Sequence, residues 1–242
     1  MKQTFLLICL IISFTLAQAA GPYCIGDTLN CIALGGLKLR EVPKGKEIVA
    51  IKLGESVVVI AKWDSLYQSG TYEQIYGNWI KVKYNDFTGY VFDGYLSKMP
   101  APSLQDSSLE EYLNRVSFQI GKPVTKTSIC EGEGGGEGTY AVTIRLYQHQ
   151  NFTAKQIDYG GWEWGHSTIV FDFVKFEEIV LICKVVFRNS YAKGVFEIPE
   201  RFAERAIMIK SNDDFGYDNF TLKQFYIEER DSEVRIIIDT GY

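Results

Sequence analysis

Apolar and polar positions alternate along most of the chain, and the alternation predicts strands. Glu47 to Leu53 and Ser56 to Lys62 are β-branched runs of period two, parted by Leu53-Gly54-Glu55. Asn78 to Tyr84 sets Trp79, Lys81 and Lys83 on one side and Ile80, Val82 and Tyr84 on the other. Asn85-Asp86 turns the chain, Thr88 to Phe92 is the next strand, and Gly94-Tyr95-Leu96 closes the group. With Leu37 and Leu39 at its start, residues 32–98 hold about five short strands, the pattern of a small barrel.

The pattern changes after residue 98. Met99-Pro100-Ala101-Pro102-Ser103 reads as a short Pro-rich hinge within a linker, 99–106. Ser107 and Ser108 each have a glutamate three residues on, which opens a helix with a capping box. Leu109, Tyr112, Leu113, Val116 and Ile120 share one helical face, and Gly121-Lys122-Pro123 stops it. Residues 123–129 follow as a strand. Thr139 to Gln148 is a clear strand, with Tyr140, Val142, Ile144 and Leu146 on one face. Thr153 to Tyr159, Thr168 to Phe173, Ala206 to Lys210, Thr221 to Glu229 and Glu233 to Thr240 read as further strands. Arg230-Asp231-Ser232 is a hairpin turn between the last two. Val174 to Phe187 is a second helix, apolar enough to be largely buried, with Glu177-Glu178 in its first turn. The expected fold is mainly β or α+β. A small barrel over residues 20–98 precedes an α+β domain over residues 107–242 with an antiparallel sheet and two helices.

The N-terminus reads as a secretory signal peptide, residues 1–19. Lys2 precedes the apolar run Phe5 to Leu16, and Ala17-Gln18-Ala19 supplies small residues for cleavage. This places the chain outside the cytoplasm, secreted or periplasmic. Export bears on the cysteines. Cys9 leaves with the signal, and Cys24, Cys31, Cys130 and Cys183 enter an oxidising compartment. Cys24 and Cys31 are the natural local pair, which leaves Cys130 with Cys183; the apolar helix around Cys183 makes a buried free thiol a rival.

Gly36-Leu37-Lys38-Leu39-Arg40-Glu41-Val42-Pro43 opens a series of motifs. Gly54-Glu55 begins the strand Ser56 to Ile60. Trp79-Ile80-Lys81-Val82, Gly89-Tyr90-Val91-Phe92 and Tyr95-Leu96-Ser97 follow in order. Residues 34–98 thus resemble bacterial SH3-like (SH3b) domains, with one departure, a longer insertion from Asp64 to Tyr76 that reads as a hairpin extension. The resemblance implies binding rather than catalysis, since such domains attach wall enzymes to peptidoglycan or bind peptides. The polar insertion carries Tyr67, Tyr72 and Tyr76 as candidate contact residues, while Trp79 and Phe92 read as core. In the second domain, which resembles no family we name, Trp162, Trp164 and His166 lie in a Gly-flanked aromatic turn that suits a sugar or peptide.

Composition narrows the chemistry. The 242 residues carry a net charge of −5 and only two histidines. The acidic balance argues against nucleic acid, and two histidines exclude a three-histidine metal site. Glu131 to Gly138 is rich in glycine, but its glutamates repel phosphate, and it lacks the ligand ladder of a calcium loop. No H-E-x-x-H or G-x-S-x-G occurs. His149 and His166 both precede Cys183, and Cys130 opens no helix, contrary to an NlpC-type cysteine peptidase. No metal, cofactor or catalytic residue is expected. The leading reading is an exported, non-enzymatic bacterial binding protein whose partner is a peptide, peptidoglycan or another envelope protein. A periplasmic inhibitor or immunity protein against a toxin or hydrolase is the alternative. A cell-wall hydrolase whose site the sequence does not reveal is the third, with paired carboxylates one way to build it.

Overall fold

The computed structural model describes residues 23–61, 70–72, 75–131, 137–160, 164–187, 206–209, 221–230 and 233–241. The expected signal peptide, Tyr67, Trp162, most of the glycine-rich loop and the turn at Asp231-Ser232 lie outside these residues. The chain is mainly β, with two large antiparallel sheets, one small hairpin and two described helices.

The first sheet collects β1 (Thr28–Cys31), β2 (Leu37–Arg40), β3 (Glu47–Ile51), β4 (Ser56–Ala61), β7 (Trp79–Tyr84), β8 (Phe87–Phe92) and β9 (Leu96–Ser97). Its order is β3-β2-β8-β7-β4-β1-β9. The predicted alternation is realised: Val57 and Val59 of β4 and Ile80 and Val82 of β7 point inward with Leu39, Ile51 and Val91. Two corrections follow. The pairing leaves an open sheet with β3 and β9 at its edges, where closure into a barrel was expected. The strand β1, which sequence reading passed over, lies between β4 and β9 and sends Leu29 and Cys31 into the core.

That inward turn also overturns the expected Cys24–Cys31 bridge. Cys31 is fully buried with its Sγ 3.7 Å from the Ile51 carbonyl, while Cys24 is exposed on the preceding turn, and both are free thiols. Cys183 is likewise a buried free thiol, so the Cys130–Cys183 bridge is not formed; Cys183 faces the helix-covered core, and Cys130 sits on an outlying strand opposite Gly138.

The second sheet runs β10 (Phe118–Gln119), β12 (Glu137–Gln148), β13 (Thr153–Gly160), β14 (Trp164–Asp172), β17 (Glu233–Gly241), β16 (Thr221–Arg230) and β15 (Ala206–Ile209), with β11 (Val124–Glu131) also on β12. Helices α1 (Leu109–Val116) and α2 (Phe176–Val186) share one buried cluster with Tyr147, Phe171, Ile227 and Ile236 of the sheet and with Phe152 just before β13. Ser108 caps α1 by accepting from the Glu111 N–H at 3.1 Å, and Glu111 accepts from the Ser107 N–H at 2.8 Å. These bonds from Ser107 hold the Glu111 carboxyl below the usual range.

The predicted continuation of α1 to Ile120 is not made. The Ser117 hydroxyl donates to the Leu113 carbonyl, and Phe118 and Gln119 are drawn into pairing with Gln148 and Tyr147. Backbone groups there find sheet partners, and Ile120 is left exposed.

The Pro-rich segment is strapped down rather than free. Met99 is buried in the second core, the Tyr112 hydroxyl donates to the Pro100 carbonyl at 2.8 Å, and Arg115 grips Asp106 at 2.7 Å and the Ala101 carbonyl at 3.1 Å. Between the two sheets, Leu181 of α2 packs with Ile32 and Ile75, flanked by Tyr95 and Ala101. Asn151 adds a 2.7 Å bond to the Lys98 carbonyl. The two units meet through a built junction.

Candidate functional site

The described residues of the insertion pair as a hairpin: β5 (Gly70–Tyr72) lies against β6 (Ile75–Gly77). Alternation along β6 buries Ile75 completely in the junction and leaves Tyr76 64% exposed. The base of the hairpin is fixed by close backbone approach. A Cβ on Gly77 would stand 2.6 Å from the Gly94 nitrogen, and one on Gly94 would stand 2.7 Å from the Tyr76 carbonyl oxygen. Only glycine tolerates both contacts. Asp93, buried in the one-turn 3-10 helix Asp93–Tyr95, accepts the Asn78 N–H at 2.6 Å and the Tyr23 hydroxyl. Burial first, then the Asp93 carboxylate, push the Tyr23 hydroxyl well above its usual pKa. Tyr76 is therefore an exposed ring beside a closely packed strand base. Tyr72 pairs opposite Ile75 in the same hairpin. Trp79 and Phe92 are buried edge to face, with centroids 6.1 Å apart, as their core assignment required.

The other predicted cluster is rearranged. Trp164 and His166 stand in β14 and not in a turn, because Gly165 and His166 pair with Gly160 and Tyr159 across the ladder. The His166 ring meets Tyr159 at 5.6 Å in a T-shaped contact, and its Nε2 lies 2.9 Å from the Thr168 hydroxyl. Register extends this face into three rows across the sheet. One holds Leu146, Lys155, Val170, Arg235 and Glu228. The next holds Ile144, Ile157, Thr168, Ile237 and Tyr226. The third holds Lys126, Val142, Tyr159, His166, Asp239 and Gln224. These side chains belong to none of the buried core clusters, which gather the opposite face of the same strands under the helices. Tyr76 and His166 thus mark two separate surfaces on different sheets.

Polar groups on the helix-side face tie one another down. Asp158 accepts from Arg145, from the Gln156 amide at 2.9 Å and from the Ser167 hydroxyl at 2.7 Å, while Tyr147 donates to Gln156 at 3.3 Å. His149 stacks on Phe152 at 5.0 Å and accepts the Asn151 N–H at 3.2 Å, and burial pulls its pKa down. Among the described residues no group of three His, Cys, Asp or Glu side chains stands close enough to hold a metal ion. Burial pushes the Cys31 thiol up to about 11 and raises Cys183 further, so neither is a ready nucleophile. No described helix is long and apolar enough to cross a membrane.

Glu178 marks the junction chemically. It accepts the Lys175 N–H at 2.8 Å, is hydrogen-bonded to Ser97, and is raised above the usual carboxyl range by burial. An acid raised in the folded state binds more protons there than when unfolded, so stability falls as pH climbs above its unfolded pKa. Glu178→Gln is expected to keep both bonds and relieve that loss. It should stabilise the protein at pH 7 and change little at pH 4, as read by urea unfolding at the two pH values.

The chain matches no family model, no curated protein and no solved structure.

Proposed function

We propose that this is an exported, non-enzymatic bacterial binding protein in which residues 20–98 form an SH3-like module and residues 107–242 an accessory domain. The reading rests on Tyr76, a ring presented to solvent between the fully buried Ile75 and the close backbone approach of Gly77 to Gly94. A rigid tyrosine gives a large contact area with little loss of side-chain entropy, the usual character of a recognition residue. The resemblance motifs support the module: they fall on β2, β4, β7, β8 and β9 of one sheet. The ligand is a peptidoglycan strand or an extended peptide of the envelope, and the protein works outside the cytoplasm.

The test is co-sedimentation with purified peptidoglycan, run beside dye release from the same material. Retention without release is expected. Tight capture of a single envelope protein with no retention on peptidoglycan would instead favour the inhibitor reading, and release of dye would favour a hydrolase.

A further inference from the structure

The edge strand β11 of the second sheet goes beyond that reading and is independent of Tyr76. We propose that β11 is a docking edge that takes up an extended, acidic segment of a partner polypeptide as an added strand. Among the described residues, β11 pairs with β12 alone, so its other edge is open. Its register against β12 runs without a shift from Val124–Ile144 to Glu131–Glu137, and Pro123 stands before its first residue. In an antiparallel pair, alternate residues bond to the neighbouring strand and the others point their N–H and C=O groups away from it. Eight residues rising at about 3.3 Å thus present about 26 Å of regular edge, with backbone donors and acceptors in alternation. An extended backbone is the ligand that matches such a row.

The other described edges are blunted. The first sheet ends in β3, whose register against β2 shifts between Val49 and Glu47, and in the two-residue β9. On the second sheet, β10 has two residues and β15 four. Bulges and short strands are the usual guards of an edge, and β11 has neither. It also packs on no core. Val124 is 53% exposed, and Ile129, on the opposite face, is 70% exposed. Thr125, Lys126 and Thr127 between them are exposed too, and none of the described side chains of β11 enters a core cluster. A β-prone strand held by one neighbour alone has the most to gain from a second.

Charge selects the occupant. Lys122 and Lys126 are the only charges between Gln119 and Cys130, and both are exposed, on a chain whose net charge is −5. An antiparallel second copy centred on Thr127 would bring the two Lys126 ammonium groups into diagonal register, and the repulsion disfavours it. An acidic segment turns the same lysines into an attraction, while its apolar residues find Val124 on one face and Ile129 on the other. Glu131 and Glu137, paired at the far end, confine the partner's acidic residues to the Lys126 side.

Fluorescence titration of the full protein with labelled synthetic peptides tests this, read beside amide hydrogen exchange. The probes are a blocked octapeptide of alternating valine and threonine with two central glutamates, its counterpart with two lysines, and the glutamate peptide fully N-methylated. The glutamate peptide is expected to bind at least about tenfold more tightly than the lysine peptide, and more weakly as salt rises. Full N-methylation, which removes every backbone donor, should abolish binding. Lys126→Glu, at an exposed position, should reverse the preference and keep the circular dichroism spectrum. Bound peptide should slow the exchange of those β11 amides that exchange fast in the free protein. No binding of the glutamate peptide, binding that survives full N-methylation, or protection that falls outside β11 would overturn the inference. A dimer formed through β11 that excludes the peptide would overturn it too and assign the edge to a second copy.

Discussion

Phe171→Ala is expected to cost about 3–5 kcal/mol, enough to unfold much of the second unit near physiological temperature. Phe171 is fully buried on the helix-side face of β14. It shares a core with Phe176, Ile179 and Val180 of α2, and its ring lies 6.2 Å from Phe152. Removing the ring loses its transfer free energy and leaves a cavity that α2, held through Glu178 to Ser97 and through Leu181 to Ile32 and Ile75, cannot fill by collapsing. Urea unfolding followed by tryptophan fluorescence and by far-ultraviolet circular dichroism measures the loss. A cost below about 1 kcal/mol would mean that the helices do not rest on this face of the sheet.

The second large effect is expected at the junction. Leu181 is 4% exposed and packs on Ile32 of the first unit and Ile75 of the hairpin. Leu181→Asp places a carboxylate in that apolar contact, with a cost of about 3 kcal/mol or more when the junction stays closed. The chain escapes the penalty by opening the junction, which predicts two separate unfolding transitions. Opening also frees Ile75, the inward anchor of the Tyr76 hairpin. Ligand retention should therefore fall although Tyr76 itself is unchanged. Leu181→Met, close in volume, should leave both stability and retention near the parent values.

Period-two alternation made β4, β7, β8, β12, β13 and β16 legible in the sequence, because each has one face against a core and one toward solvent. The capping serine and the apolar run likewise announced α1 and α2. What was not legible depended on partners distant in sequence. β1 is four residues long, and its direction is fixed by pairing with β4 and β9. Only that pairing reveals that Cys31 faces inward and away from Cys24. The end of α1 was set by the sheet edge that captures Phe118 and Gln119 and not by the glycine and proline further on. The glycines around Trp164 and His166 read as a turn, yet a ladder on both sides holds them extended. The apolar character of α2 foretold its burial but not that Leu181 would leave the common core for the junction.

For the proposed site, the tyrosine-rich insertion supplied the segment on which the binding reading rests. Ile75 and Tyr76 differ by one position in a strand, and that single step separates an anchor from an exposed ring. The binding account stands or falls on that ring. Titration of soluble peptidoglycan fragments, and of envelope-derived peptides, into the parent protein and into Tyr76→Ala tests it most directly. The account predicts saturable binding by the parent and a dissociation constant at least about tenfold weaker for Tyr76→Ala, with unchanged urea stability. Equal affinity of the two proteins for the same ligand would contradict it.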